Sequence, residues 1–419
     1  MNYEWYRPLG KFSVPWQSRG DEWISRLVAH LKEISSISGH GTRAGGEISP
    51  FVEVRVSTEH GEFDTRLLIV PLPEDAIEVW VCGNEAVNLK LVDNFREAAE
   101  KATAGLEEKD QPHKWSAIIG DSTPVYSEAI PRRLSQGFKL PGVELLSTER
   151  YFWNVERAPV HTMSSWSFRP TVPIAVRGSS LGYDWGGAQP LAAEQLGKLA
   201  AFLSLVWGVL IDVMEPPAPL EWGERRLPDH PPWIQLDPDM KTAPVMDELP
   251  AFEVADWLAD AWVRLNKRTK LQTAVSMYME GLRIEGRHPS LALVSYVSTV
   301  EAISLMLFHE QRCGVCRSHV NIGDKFFETL RLAVGQEGAE SLRRVYGSRS
   351  KTVHTGRLHG AEVAPGAFRF SSFVMPPEAS FQWQILRGMK TAAQKLLMMA
   401  IKGQLPGRSH FVKSGEVSD

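Results

Sequence analysis

Tyr346-Gly-Ser-Arg349-Ser350-Lys351-Thr-Val-His354-Thr-Gly356 sets one fixed cation five positions ahead of one titratable base. On a helix, positions i and i+5 are not stacked as i and i+4 are, yet both reach one rim if their side chains lean together. Arg is permanently charged and offers a fork of donors suited to phosphate, whereas His moves protons near neutral pH. The pair is a minimal kit for cleaving a phosphodiester without a metal. The plainer alternative is an Arg349 paired with a local carboxylate and an ordinary surface His354.

Upstream, Ala292-Leu-Val-Ser-Tyr-Val-Ser-Thr-Val-Glu301-Ala302 is a helical run with one acid set among apolar residues. A carboxylate buried there is costly unless paired, and Arg349 or His354 would be its natural partner. Together the two segments resemble the HEPN superfamily with its Arg-x4-6-His signature, specifically the Apea-like HEPN domains of bacterial defence proteins, over residues 250–402. The resemblance implies a helical bundle, a metal-independent ribonuclease and a homodimer or higher homo-oligomer in which two motifs face one cleft. It implies catalytic roles for Arg349 and His354, with Glu301 orienting the Arg or tuning the His, and RNA contacts from Ser350, Lys351, Arg357 and His359. The setting it suggests is antiphage defence by abortive infection, with tRNA or mRNA as target and a phage-derived trigger protein. Many members carry Asn, Asp or His directly after the Arg where this chain has Ser350, so a non-catalytic module for RNA or protein binding and dimerisation stands as the alternative.

The chain of 419 residues is long enough for two domains. Its 43% hydrophobic and 23% charged content is that of an ordinary soluble protein, and a net charge of −4 does not advertise nucleic acid. The charge is unevenly spread: residues 267–360 hold 14 Lys+Arg against 8 Asp+Glu, leaving about −10 on the remainder. Three cysteines build no disulfide framework and no secretory leader opens the chain, which points to the cytoplasm. The longest uncharged apolar run, 199–211, falls short of a bilayer span, so no membrane is expected.

The expected fold is α+β, with a mixed N-terminal domain over 1–214 that would sense or regulate. Helical spacing runs from Asp21 through Leu31. The Gly-rich stretch 38–46 lacks the Lys-Ser/Thr ending of a phosphate loop and reads as a turn. Alternation at 51–57, 64–71 and 77–82 predicts an antiparallel meander, followed by a helix over 85–108, short apolar runs at 115–119 and 143–146, and a helix over 191–214. Tyr151, Trp153, Arg157, Trp166, Phe168, Arg169 and Arg177 interleave as a nucleic-acid platform can, although strand aromatics are more often core. Nine prolines in 215–250 predict a linker. An all-helical domain is expected over 251–403, with helices at 252–265, 271–284, 289–308, 322–334, 339–346 and 381–401, then a polar tail over 404–419. Between helices, Cys313, Cys316 and His319 could ligate a structural zinc, with His309 or a second protomer as fourth ligand; a redox pair or plain loop cysteines are the other readings. No cofactor is expected for catalysis.

Overall fold

The computed structural model describes residues 5–32, 36–42, 50–58, 61–83, 89–106, 110–122, 132–147, 152–157, 166–171, 173–220, 249–285, 288–309, 322–355 and 377–409. Contacts divide the chain into two compact units, Met1–His113 with Ser180–Leu191, and Lys114–Ser179 with Ala192–Asp419.

The first unit is built on strand alternation. Strands β1 (Trp5–Ser13), β2 (Ser36–Thr42), β3 (Pro50–Thr58), β4 (Gly61–Leu72) and β5 (Ala76–Gly83) form one antiparallel sheet in the order β1-β5-β4-β3-β2. The expected meander is its centre, β3 to β5. Leu67 and Ile69 of β4 and Ile77, Val79 and Val81 of β5 point to one face, as the two-residue period dictates. That face is buried by Trp23, Leu27 and Leu31 of α1 (Trp16–Lys32) and by Val92, Phe95, Ala99 and Ala102 of α2 (Leu89–Gly105). Trp23 donates its indole N–H to the Thr103 hydroxyl at 2.9 Å, pinning α1 to α2. Two expectations need correction here. Residues 36–42 are strand, not turn: β2 pairs with β3 and its register slips between Ile37 and Gly39, where glycine tolerates a bulge. Residues 43–46 lie outside the described part. Helix α1 also starts at Trp16, five residues early, because Gly20 does not break it; the Trp16 indole fills the space where a Cβ at Gly20 would lie 2.9 Å away.

The second unit carries a sheet ordered β12-β6-β11-β8-β7, from β6 (Gln111–Asp121), β7 (Phe138–Leu140), β8 (Val143–Leu146), β11 (Ile174–Gly182) and β12 (Ile211–Pro219), plus a hairpin of β9 (Phe152–Arg157) and β10 (Trp166–Thr171). Helix α3 (Trp185–Trp207) ends seven residues before the expected Met214. Gly208 takes φ 68, a left-handed stop favoured at the residue after a helix. The Ser204 hydroxyl donates to Ala200 O at 2.7 Å and accepts the Ile211 N–H at 2.9 Å, turning the chain directly into β12. Thus the first prolines of the expected linker are strand. Pro216 and Pro217 sit on β12, the sheet edge, where register shifts on either side of Glu215 absorb the missing donors. Residues 221–248 lie outside the described part.

Helices α4 (Leu258–Asn266), α5 (Thr269–Ile284), α6 (Pro289–Leu307), α7 (Ile322–Thr355) and α8 (Pro377–Lys402) follow, and α6 packs against α5, α7 and α8. Pro289 occupies the first turn of α6, where its missing N–H is no loss. This helix is long and apolar enough to cross a membrane by length and composition, and half of that apolar window is buried inside the fold. The helices are tied to the second sheet and to α3 within the same unit. Trp262 donates to Pro141 O at 3.0 Å, Gln394 to Leu205 O at 3.0 Å, and Arg283 pairs with Asp212 at 3.0 Å. The contact division therefore does not fall after residue 214; the helices share a unit with residues 114–179. The chain is α/β with antiparallel sheets.

One polar network lies within the helices. The Tyr296 hydroxyl donates to Glu285 Oε2 at 2.6 Å, and Lys390 Nζ reaches the same oxygen at 3.0 Å. Tyr278 packs its ring 5.6 Å from that of Tyr296, and its buried hydroxyl has no hydrogen-bond partner. Burial raises both phenols above the ordinary tyrosine range, with the Glu285 charge adding to it. A raised native pKa holds the proton after the unfolded phenol has lost it, so stability should fall as pH rises above about 10. Tyr278→Phe should unfold at the same or higher urea concentration than wild type at neutral pH, since an unpaired hydroxyl is removed. The same variant should lose less stability between pH 9 and about 11, measured by urea midpoints.

Candidate functional site

Helix α7 bears the sequence signature on its last turns, and its first half decides how those turns are held. Gly335 breaks the helix with φ 73 and ψ −178, a conformation open essentially to glycine alone. No neighbour crowds a Cβ there, so the demand for glycine comes from the backbone and not from packing. The two arms, 322–334 and 336–355, fold back on one another. The Phe326 and Tyr346 rings stand 5.1 Å apart, whereas twenty residues of straight helix would separate them by about 30 Å. Arg343 also lies over the Phe327 ring at 5.2 Å. From the other side α8 approaches closely at Gly388, where a Cβ would lie 3.2 Å from Leu342.

The burial pattern of the second arm defines its inner face. Leu342, Val345 and Thr352 are buried, while Gln336, Arg343 and Gly347 are exposed. By helical register Arg349 falls in the row of the buried three, and His354 in the row of the exposed three. A spacing of five places the two positions about 140° apart around the helix axis. One chain's backbone thus sends the two positions to different sides of α7, and the expectation of a shared rim does not follow from helix geometry alone. Ser350 and Lys351 are on the same turns; the side chains of all four residues lie outside the described part, as do Arg357 and His359 entirely.

Glu301 sits on α6 in a row with Val294, Ser298 and Leu305. Glu301, Val294 and Ser298 are half-buried, and Leu305 is 49% exposed. This row borders the least buried stripe of α6, Leu291, Ser295, Ser298, Ala302 and Leu305, so Glu301 is at the margin of the bundle and not in its interior. Cys313, Cys316 and His319 lie outside the described residues. His309, the suggested fourth ligand, donates its backbone N–H to Ser409 O at 3.0 Å, and its carbonyl accepts from Lys325 Nζ at 2.9 Å. Among the described residues no group of three or more His, Cys, Asp or Glu could hold a metal ion. The third cysteine, Cys82, is buried on β5, its thiol donating to Arg66 O at 3.5 Å.

The interleaved aromatics are split between sheets. In the β9–β10 register Trp166 faces Arg157, Phe168 faces Val155 and Pro170 faces Trp153, so Trp153, Arg157, Trp166 and Phe168 occupy positions of one parity. Arg169 falls on the other parity and Arg177 belongs to β11.

Phe326, Phe327 and Gly335, which fold the signature arm back, did not stand out in the sequence. The signal was there: a glycine separating two amphipathic runs, with a double aromatic one helical arm upstream of Tyr346. No family model matches the chain, and no curated protein does.

Proposed function

We propose that the chain is a metal-independent endoribonuclease of the HEPN type acting in antiphage defence, with its site at a cleft between two copies. The observation that carries this reading is the Arg349-x4-His354 signature on the terminal turns of α7, in the segment with the excess of positive charge. His354 takes the proton from a ribose 2'-OH as the 2'-oxygen attacks phosphorus, or gives one to the departing 5'-oxygen. Arg349 stabilises the charge that builds on the phosphorane oxygens. The P–O5' bond breaks, leaving a 2',3'-cyclic phosphate and a 5'-OH. One histidine cannot be base and acid at once, and the second copy supplies the other. Ser350 and Lys351 contact phosphate in the cleft, and the first unit serves to sense a phage component. The test is RNA cleavage by purified protein with and without EDTA: chelator-insensitive cleavage leaving cyclic phosphate is expected, and products ending in 3'-OH would refute the mechanism.

Ser350 favours a second reading, since HEPN ribonucleases often carry Asn, Asp or His there. In that reading the helical part is a non-catalytic module that binds RNA or protein and dimerises. RNA bound tightly and left intact under every activating condition would select it.

A further inference from the structure

We infer that the turn between α4 and α5, Lys267-Arg268-Thr269-Lys270, is a second RNA-binding surface that grips phosphates and is distinct in sequence from the cleavage motif. All four residues are exposed. From 261 to 279 the chain has no Asp or Glu and has four cations, Arg264, Lys267, Arg268 and Lys270. Several helical cations elsewhere in the same unit sit beside carboxylates, Arg283 with Glu280 and Asp212, Arg331 with Glu328, Arg343 with Glu340 and Lys390 with Glu285, and the exposed Arg387 and Lys395 of α8, which have none among the described residues, are eight positions apart where the turn sets three cations within four. At the turn no carboxylate among the described residues pairs with Lys267, Arg268 or Lys270. Like charges placed this closely repel one another, and an external polyanion relieves that repulsion.

The backbone under these cations is fixed. The Asn266 amide donates to Trp262 O at 3.0 Å, and the Gln272 amide donates to Leu265 O at 3.1 Å and to Asn266 O at 3.0 Å. Lys267 N and Arg268 N close the end of α4 on Val263 O and Leu265 O. A membrane-seeking patch would mix its cations with exposed apolar side chains. Here the nearest exposed large apolar residue along the chain, among the described residues, is Met277, two turns into α5. The chemistry therefore suits a phosphate backbone, and the choice of RNA rests on the ribonuclease reading.

The experiment measures binding of a 20-nucleotide single-stranded RNA by fluorescence anisotropy, in the full chain carrying His354→Ala so that binding is read without cleavage. Lys267→Glu, Arg268→Glu and Lys270→Glu are combined; acids are favourable at 268 and 270, at the start of α5, and unfavourable at 267, the C-cap of α4, so the urea midpoint of the variant is measured alongside binding. A control of equal charge change combines Arg331→Glu, Arg387→Glu and Lys395→Glu. Affinity should fall at least 10-fold in the first variant and much less in the control, and the slope of log affinity against log salt should flatten by about 2 units. Equal losses in both variants, or no RNA binding by the starting chain, overturn the inference. Loss of binding to phosphatidylserine vesicles with RNA binding intact overturns it in favour of a membrane. Wild-type cleavage with unweakened binding in the first variant refutes the surface and leaves the ribonuclease reading standing. Weakened binding in a chain that never cleaves refutes the nuclease and leaves the surface.

Discussion

His354→Ala should reduce RNA cleavage by about 10²- to 10⁴-fold, the range expected when a positioned proton-transfer group is removed. RNA binding and the urea midpoint should stay near wild type. The expectation for stability follows from helical register: position 354 shares its row with Gln336, Arg343 and Gly347, all exposed. Arg349 differs in register and should differ in behaviour. Its row contains Leu342, Val345 and Thr352, all buried, so Arg349→Ala should lower both cleavage and stability. Arg349→Lys keeps the charge but loses the planar fork, and should recover stability more fully than cleavage. The measurements are initial cleavage rates and urea unfolding on the same preparations. Equal cleavage by wild type and His354→Ala would remove the catalytic assignment.

The contrast between those two residues also shows what the sequence could and could not reveal. Their identity and spacing are local, so the signature was legible at once, whereas the helix expected over 339–346 runs on through the motif to Thr355. Their 140° divergence follows from helix geometry, but the inner face of α7 is set by Phe326, Leu342 and Gly388, which are far apart in the chain. The meander β3–β5 was legible because Ile77, Val79 and Val81 keep a strict two-residue period. In β1 that period is broken: the register shifts between Pro8 and Gly10, and the buried Leu9 and Phe12 fall three residues apart. The end of α3 was hidden by apolar continuity, since Val209, Leu210 and Ile211 extend the hydrophobic run past Gly208 into a strand. Proline density misled at 216 and 217, where an edge strand has no use for the missing donors. The division into units was not legible, because it rests on contacts such as Trp262 with Pro141 that no local pattern announces.

Trp262→Ala tests that last contact and should lower the unfolding free energy by about 3–5 kcal/mol, as for other buried aromatic truncations. Trp262 is 1% exposed on α4. Its ring lies 5.5 Å from that of Phe202 on α3, and its indole N–H donates to Pro141 O in the turn between β7 and β8. Alanine would leave a cavity between two helices and strand a carbonyl that the indole satisfied. Trp262→Phe separates these effects: most apolar contact is kept while the donor is lost, so about 1–2 kcal/mol is expected. Trp257, half-buried one turn earlier with Lys402 at 4.3 Å over its ring, is the control. Its replacement by alanine should remove a cation–π contact and little packing, about 1 kcal/mol. Urea unfolding of the three variants reads the order directly. A Trp262→Ala loss no larger than that of Trp257→Ala would mean that α4 contributes no more through its buried indole than through its rim. The helices would then be held to the second sheet chiefly by Arg283 with Asp212, and to α3 by Gln394 with Leu205.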